Sequence, residues 1–396
     1  MFGKGFKLFT IFGFDVKIDL SWLIIGLLVT WSLAEGWFPG KYPDLSTRTY
    51  WLMGVAGALG LLVSIVWHEL CHSLVARQYG LPMGGITLFI FGGVAEMTQE
   101  SPSPKAEFLM ALAGPVSSLV LGGILLLVVQ VGEAAGLPDP VTGALFYLGV
   151  INIALAIFNL FPGFPLDGGR LLRAALWHWK KNLRWATRIA SNIGSAFGMA
   201  LIVLGVMQFI FAANSGGFIV GVWYFLIGMF LRGAAKSAYQ QVLLKQTLGG
   251  ESVRQFMNDQ PVTVEAQTSI DRLVEDYAYH YHHKVFPVMS DGELKGLVHT
   301  RAVKNFPRED WPNHTIAEIT EEKTDNNTIA PDADAMDALS RMNKTQTSRL
   351  LVVENGELQG ILSLKDLLGF FSLKIELEEQ EEPQAPQRTL PDASQG

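Results

Sequence analysis

Two short stretches of an otherwise apolar sequence carry side chains able to do chemistry together. The first is His68-Glu69-Leu70-Cys71-His72, inside the apolar run 64–76. Residues four apart lie on one face of a helix, so both imidazoles can share a metal ion, and Glu69 can take a proton from a water at that metal. Ionisable groups are costly in hydrocarbon, and a shared metal would compensate three of them one turn apart. A packed polar pair at a helix interface is the plainer alternative. A catalytic zinc takes three protein ligands and leaves one position for water, so a third ligand must come from elsewhere. Asp167 is a candidate acid at the end of an apolar span, in Phe158-Asn159-Leu160-Phe161-Pro162-Gly163-Phe164-Pro165-Leu166-Asp167-Gly168-Gly169-Arg170. Pro162 and Pro165 cannot continue a regular helix and the glycines let the backbone turn, so the span should break here and aim Asp167 sideways. Its alternative roles are a helix cap or a partner for Arg170. Asn152, two turns before Asn159, is expected to make a hydrogen bond between helices.

The elements that must hold these groups are membrane spans. Of 396 residues, 49% are hydrophobic and 17% charged, and the mean hydropathy of +0.27 is too high for an ordinary soluble protein. A span needs about 20 mostly apolar residues. Six segments qualify, near 19–35, 50–76, 106–131, 142–162, 189–213 and 217–235. No small-residue cleavage site follows the first, so it is expected to stay in the chain as a span. The loop after the fourth holds Arg170, Arg173, Lys180, Lys181, Arg184 and Arg188, whereas the turns near 132–141 and 213–217 hold no basic residue. Basic loops stay in the cytoplasm. Both termini are therefore expected there, in a bacterial-type inner (cell) membrane. Between spans two and three, Ile86-Thr87-Leu88-Phe89-Ile90-Phe91, Gly92-Gly93 and Val94-Ala95-Glu96-Met97 read as a β-hairpin turning at the glycines. It either packs on the helices or offers a strand edge to an extended peptide at the membrane boundary.

His68 through His72 in one span and Asn159 through Gly169 in a later one resemble the site-2 protease family of intramembrane zinc metalloproteases, over roughly 15–240. The resemblance implies one zinc ion per chain held by His68, His72 and Asp167, with Glu69 as catalytic base. It also implies that Asn159 orients substrate or holds the oxyanion, and that Ala113-Gly114-Pro115 makes a close helix contact beside the site. The implied activity is cleavage of a transmembrane segment of another membrane protein, in regulated intramembrane proteolysis.

Charge separates this half from the rest: residues 1–248 carry 16 Lys/Arg against 11 Asp/Glu, residues 249–396 carry 14 against 26. The second half contains a repeat, with Asp291-Gly292-Glu293-Leu294-Lys295-Gly296-Leu297-Val298 recurring as Asn355-Gly356-Glu357-Leu358-Gln359-Gly360-Ile361-Leu362. Each copy follows an apolar strand and precedes an expected helix. The pair resembles tandem cystathionine-β-synthase-type (CBS) domains at 249–310 and 311–373, a module that often binds adenine nucleotides. Ser363 and Asp366 match the phosphate and ribose positions of that family, whereas the first copy has His299 and Ala302 there. The alternative is a purely structural or dimerising module, giving a homo-oligomer through the CBS domains. His280, His282 and His283 read as a solvated helix end rather than a metal site. Residues 374–396 read as a disordered acidic tail.

The fold class is thus a polytopic α-helical membrane protein of about six transmembrane helices with a short membrane-associated β-hairpin, followed by a soluble α/β CBS pair. Cys71 is the single cysteine, which excludes disulfide scaffolds and cysteine-built metal clusters. A pI near 5.7 and an acidic second half exclude nucleic acid as partner. The rivals are a CBS-gated channel or transporter, which predicts broken helices in two repeated halves, and a catalytically silent scaffold. The six spans show one HExxH, one Leu-Asp-Gly and no repeat.

Overall fold

The computed structural model of the chain describes residues 5–81, 83–89, 92–97, 101–211 and 217–379. They form two compact units, Met1–Val242 and Leu243–Gly396.

In the first unit a hairpin of β1 (Phe6–Ile11) and β2 (Phe14–Ile18) precedes α1 (Leu20–Ser32), which continues through a wider turn into α2 (Phe38–Lys41). Next come α3 (Thr47–Gln78), β3 (Met83–Phe89), β4 (Gly92–Met97), α4 (Pro104–Ala134) and α5 (Asp139–Asn159). The amphipathic α6 (Asp167–Lys180) leads to α7 (Leu183–Phe211) and α8 (Gly217–Leu248). Side-chain oxygens start the helices where the sequence provides them: Asp19 accepts from the Ser21 amide at 2.9 Å, and Ser46 and Ser103 cap α3 and α4. Among the described residues five helical stretches, Leu20–Lys41, α3, α4, α5 and α7, are long and apolar enough to cross a membrane. The sixth expected span, 217–235, falls in α8, which is helical but is not one of the five. Leu27, Val131 and Phe211 turn outward, as side chains bathed in lipid do. Small residues line the contacts between helices: a Cβ on Gly228 would stand 2.5 Å from the Gly198 carbonyl oxygen, so α7 and α8 touch backbone to backbone.

The strands form one sheet in the order β1-β2-β3-β4, with β2 and β3 parallel and the other pairs antiparallel. The β1–β2 hairpin was not read from the sequence. The second hairpin corrects the expectation: Phe89 pairs with Gly92, so Gly92 and Gly93 open β4 instead of making the turn, and Ile90 and Phe91 lie outside the described residues. The physical reason is a close approach. A Cβ on Gly93 would stand 2.5 Å from Glu69 Cγ, so a glycine is needed within the strand, where the backbone passes the helix. One face of the sheet (Phe14, Val16, Ile86, Leu88) packs on Trp22 of α1 and on Val66 and Leu70 of α3, the helix bearing the HExxH segment.

The second unit repeats itself. The first copy is a sheet β5-β6-β7-β8 (Val264–Glu265, Val285–Ser290, Glu293–His299, Glu321–Glu322), in which a helical run over 270–281 begins with α9 (Ile270–Arg272) and ends with α10 (Tyr279–Tyr281). The second is a sheet β9-β10-β11 (Thr328–Ile329, Arg349–Glu354, Glu357–Ser363) with α11 (Ala335–Thr345) and α12 (Leu364–Glu379). Asp291-Gly292 and Asn355-Gly356 make the two tight turns with all four φ angles positive, which their residue types permit. Each hairpin shifts register at the equivalent point, Val288/Met289 and Val352/Val353. Each copy has its own core, and Val285, Leu294, Leu297 and Leu351 join the two.

Two expectations change here. The helix expected after β7 is a run of 3-10 turns over Thr300–Asn305, because Pro307 holds Phe306 extended and stops it. The expected disorder from 374 is overturned for 374–379, which complete α12. Lys374 there lies over the Phe370 ring and 4.0 Å from Glu251. The rest of the tail, 380–396, lies outside the described residues.

Candidate metal and catalytic site

The helical spacing brings His68 and His72 side by side on α3, with 3.1 Å between their Nε2 atoms. The third donor arrives from another element. α5 ends at Asn159, Pro162 to Leu166 make the break, and α6 opens at Asp167, whose Oδ2 stands 3.0 Å from His68 Nε2 and 3.2 Å from His72 Nε2. Ligands about 2.0–2.1 Å from a tetrahedral zinc are about 3.3 Å apart. A triangle with sides of 3.0 to 3.2 Å fits that requirement.

The space for an ion is also present, because a side chain has been left out. A Cβ on Gly114 of α4 would stand 2.2 Å from His72 Nε2 and 2.6 Å from His68 Nε2, close to metal–nitrogen separations. The far sides of both rings are held. His72 Nδ1 lies 2.6 Å from the Met110 carbonyl, which can only accept, so the proton is on Nδ1 and the Nε2 lone pair points at the site. His68 Nδ1 lies 2.9 Å from Ser118 Oγ, in buried surroundings. Among the described residues these three are the one group of His, Cys, Asp or Glu side chains able to share an ion.

Glu69 points from α3 into a cavity of about 810 Å³ that His68, Asn159, Trp22, Phe158 and Trp223 also line. Asn159 donates to the Leu155 carbonyl at 2.9 Å. Asn152 is fully buried and donates to Ser64 Oγ of α3 at 2.8 Å, the bond between helices expected of it. Cys71, within the motif, is half-buried and outside the triangle.

Several site residues were not legible in advance. Ser118 and the Met110 carbonyl carry no motif. Gly114 was read as a helix contact only, although its missing side chain leaves the room for an ion. Glu107, the first-turn acid of α4, is buried against Arg173 of α6. Its position inside the expected span 106–131 was the available signal.

Residues 56–138 and 138–205 match the family model described as peptidase family M50, and residues 253–308 and 316–373 each match the CBS domain. A Mycobacterium tuberculosis protein named as the zinc metalloprotease Rip3 is 33% identical over 357 residues, which are 90% of this chain and 90% of that one. The chain belongs to peptidase family M50, the site-2 proteases. A zinc metalloprotease of Methanocaldococcus jannaschii is 28% identical over 94% of this chain and 98% of its own. The solved site-2 protease from that organism aligns with 59% of this chain and 95% of its own, at 29% identity and a TM-score of 0.41. The M50 chain is an integral membrane protein and an intramembrane zinc metalloendopeptidase carrying a regulatory CBS module. Family membership sets aside the channel and scaffold rivals.

In the CBS unit of this M50 protease, Ser363 is half-buried, Asp366 is exposed, and the two are bonded to each other. Ser363 donates to Asp366 Oδ2 through its hydroxyl at 2.6 Å and its amide at 3.0 Å, across the start of α12. His299 and Ala302, the matching positions of the first copy, line a separate cavity of about 340 Å³ with Arg301 and Glu321. Burial and the nearby Arg301 charge hold the His299 imidazole below its ordinary value. His280, His282 and His283 are exposed and form no group able to share an ion.

Proposed function

We propose that His68, His72 and Asp167 hold the single zinc ion of this protease, that Glu69 is its general base, and that Asn159 binds the substrate carbonyl beside it. The observation that carries this is the meeting of three donor atoms from two helices at 3.0 to 3.2 Å, beside a glycine whose side chain would crowd both imidazole Nε2 atoms. Zinc, when bound, polarises the scissile carbonyl and acidifies a water. Glu69 takes the proton from the attacking water and delivers it to the leaving nitrogen. The Asn159 amide donates to the carbonyl oxygen as negative charge develops there.

The substrate is a transmembrane segment of another membrane protein, cut near its cytoplasmic end. Helical peptide bonds are shielded, so the segment must unwind and pass the apolar cavity extended. β4, at the outer edge of its sheet and beside Glu69 through Gly93, can receive it as an added strand. Residues 1–248 form the protease domain and 249–310 and 311–373 the two CBS domains, with the last helix of the second running on to Glu379. The basic loop Arg170–Arg188 puts both termini in the cytoplasm of a bacterial-type inner membrane. The CBS pair regulates access by binding an adenine nucleotide at Ser363 and Asp366, or by joining two chains into a homo-oligomer.

The test is cleavage of a tagged single-span protein with Gly and Pro in the cytoplasmic half of its span, in proteoliposomes. The wild-type chain should cut it within the membrane, whereas Glu69→Gln should keep its zinc and not cut. Substantial cleavage by Glu69→Gln removes Glu69 from the mechanism.

A further inference from the structure

Two zinc donors of the reading above sit on one helix and align each other. The third does not: Asp167 opens α6 after a broken loop, so its position depends on how α6 is docked. One docking partner, beside α7, is α4. Glu107, Met110, Gly114 and Ser118 follow one another at spacings of 3, 4 and 4 residues, which places them on a single face of that helix. Three of the four touch the histidine pair: the Met110 carbonyl accepts from His72 Nδ1, Gly114 leaves the space, and Ser118 meets His68. The fourth, Glu107, holds α6. Arg173 Nε donates to Glu107 Oε1 at 2.6 Å and Nη2 pairs with the same oxygen, with the side chains 13% and 1% exposed. The guanidinium also lies 5.1 Å over the ring of Phe164, in the break between α5 and α6.

We propose that the Glu107–Arg173 pair is a positioning device that sets Asp167 against His68 and His72. Arg173 is six residues after Asp167, about 9 Å along α6. One guanidinium thus ties together the helix bearing the third donor, the loop that delivers it and the α4 face that frames the other two. Such a pair is poorly explained as a source of stability alone, since burying two charges costs about what their attraction returns. This inference rests on the reading of Asp167 as a zinc ligand.

The test measures the zinc dissociation constant by chelator competition on the purified whole chain, together with the visible absorption of its cobalt-substituted form, which reports donor geometry. Arg173→Lys keeps the charge but loses the planar fork. Glu107→Gln keeps size and an acceptor, and serves should Arg173→Lys fail to fold. Each should weaken zinc binding by about 10- to 100-fold, the usual effect of removing a partner that orients a ligand, and should alter the cobalt bands. Glu107→Arg combined with Arg173→Glu should recover part of both. Asp167→Asn is the control and should lose more affinity than either. Wild-type affinity and cobalt bands in folded Arg173→Lys and Glu107→Gln, with Asp167→Asn impaired, would overturn the positioning role while leaving the ligand reading intact. Wild-type affinity in Asp167→Asn would overturn both.

Discussion

His68 and Asp167, with side chains 4% and 16% exposed, turn their polar atoms toward one another inside the membrane unit. Ser363 and Asp366 have similar chemistry and a resemblance to recommend them, yet they stand half-buried and exposed respectively at the start of a helix and bond each other. The contrast lies in solvent. Without water, a polar side chain must be matched by a partner or an ion, so convergence of three donors is hard to explain by folding alone. At an exposed helix start the same residue types are already explained by capping. A motif therefore carries more functional weight in the membrane half of this protease than in the CBS half.

That contrast can be broken most severely at His68. His68→Ala should remove zinc and cleavage together, measured by metal analysis and the proteoliposome assay, and retained zinc would mean that burial had been misread as function. Glu69→Gln should lower the cleavage rate by about 10²- to 10⁴-fold, the span of general-base effects, with zinc content unchanged. Gly114→Ala introduces a methyl 2.2 Å from His72 Nε2, and chelator competition should show zinc affinity down by about 100-fold, comparable to the largest effects of disturbing a ligand's surroundings. The smallest effect belongs to the CBS half. Asp366→Ala should lower thermal stability by about 1 kcal/mol through loss of a cap, and calorimetry with ATP, ADP and AMP should show the adenine nucleotide bound about tenfold more weakly. Zinc content should not move. A lost cap with no change in nucleotide binding would leave Ser363 and Asp366 as capping residues.

Much of the metal site was legible because helical periodicity is local. His68 and His72 align through four residues of one helix, and the prolines and glycines around Asp167 announce a break. What could not be read was set by approach between distant segments. Gly92 and Gly93 belong to β4 rather than to the expected turn, and Gly93 answers to Glu69 on α3 rather than to a hairpin's geometry. The β1–β2 hairpin owes its place to a parallel pairing with β3, across some 70 residues of chain. Glu107 escaped notice because its partner lies 66 residues away on α6. In the CBS half the repeated Asp-Gly and Asn-Gly turns were plain in sequence. The short 3-10 run after β7 was not, because Pro307 acts from beyond the repeated segment.

The central claim is that Asp167, carried on a separate helix, completes the zinc site begun by the two histidines. Its most direct measurement is the zinc-to-protein ratio of the purified whole chain bearing Asp167→Ala, beside wild type and Glu69→Gln. The account predicts about one zinc per chain in wild type and in Glu69→Gln, as a three-ligand catalytic site requires, and little or none in Asp167→Ala. One zinc per chain in Asp167→Ala would contradict it and place the third ligand elsewhere.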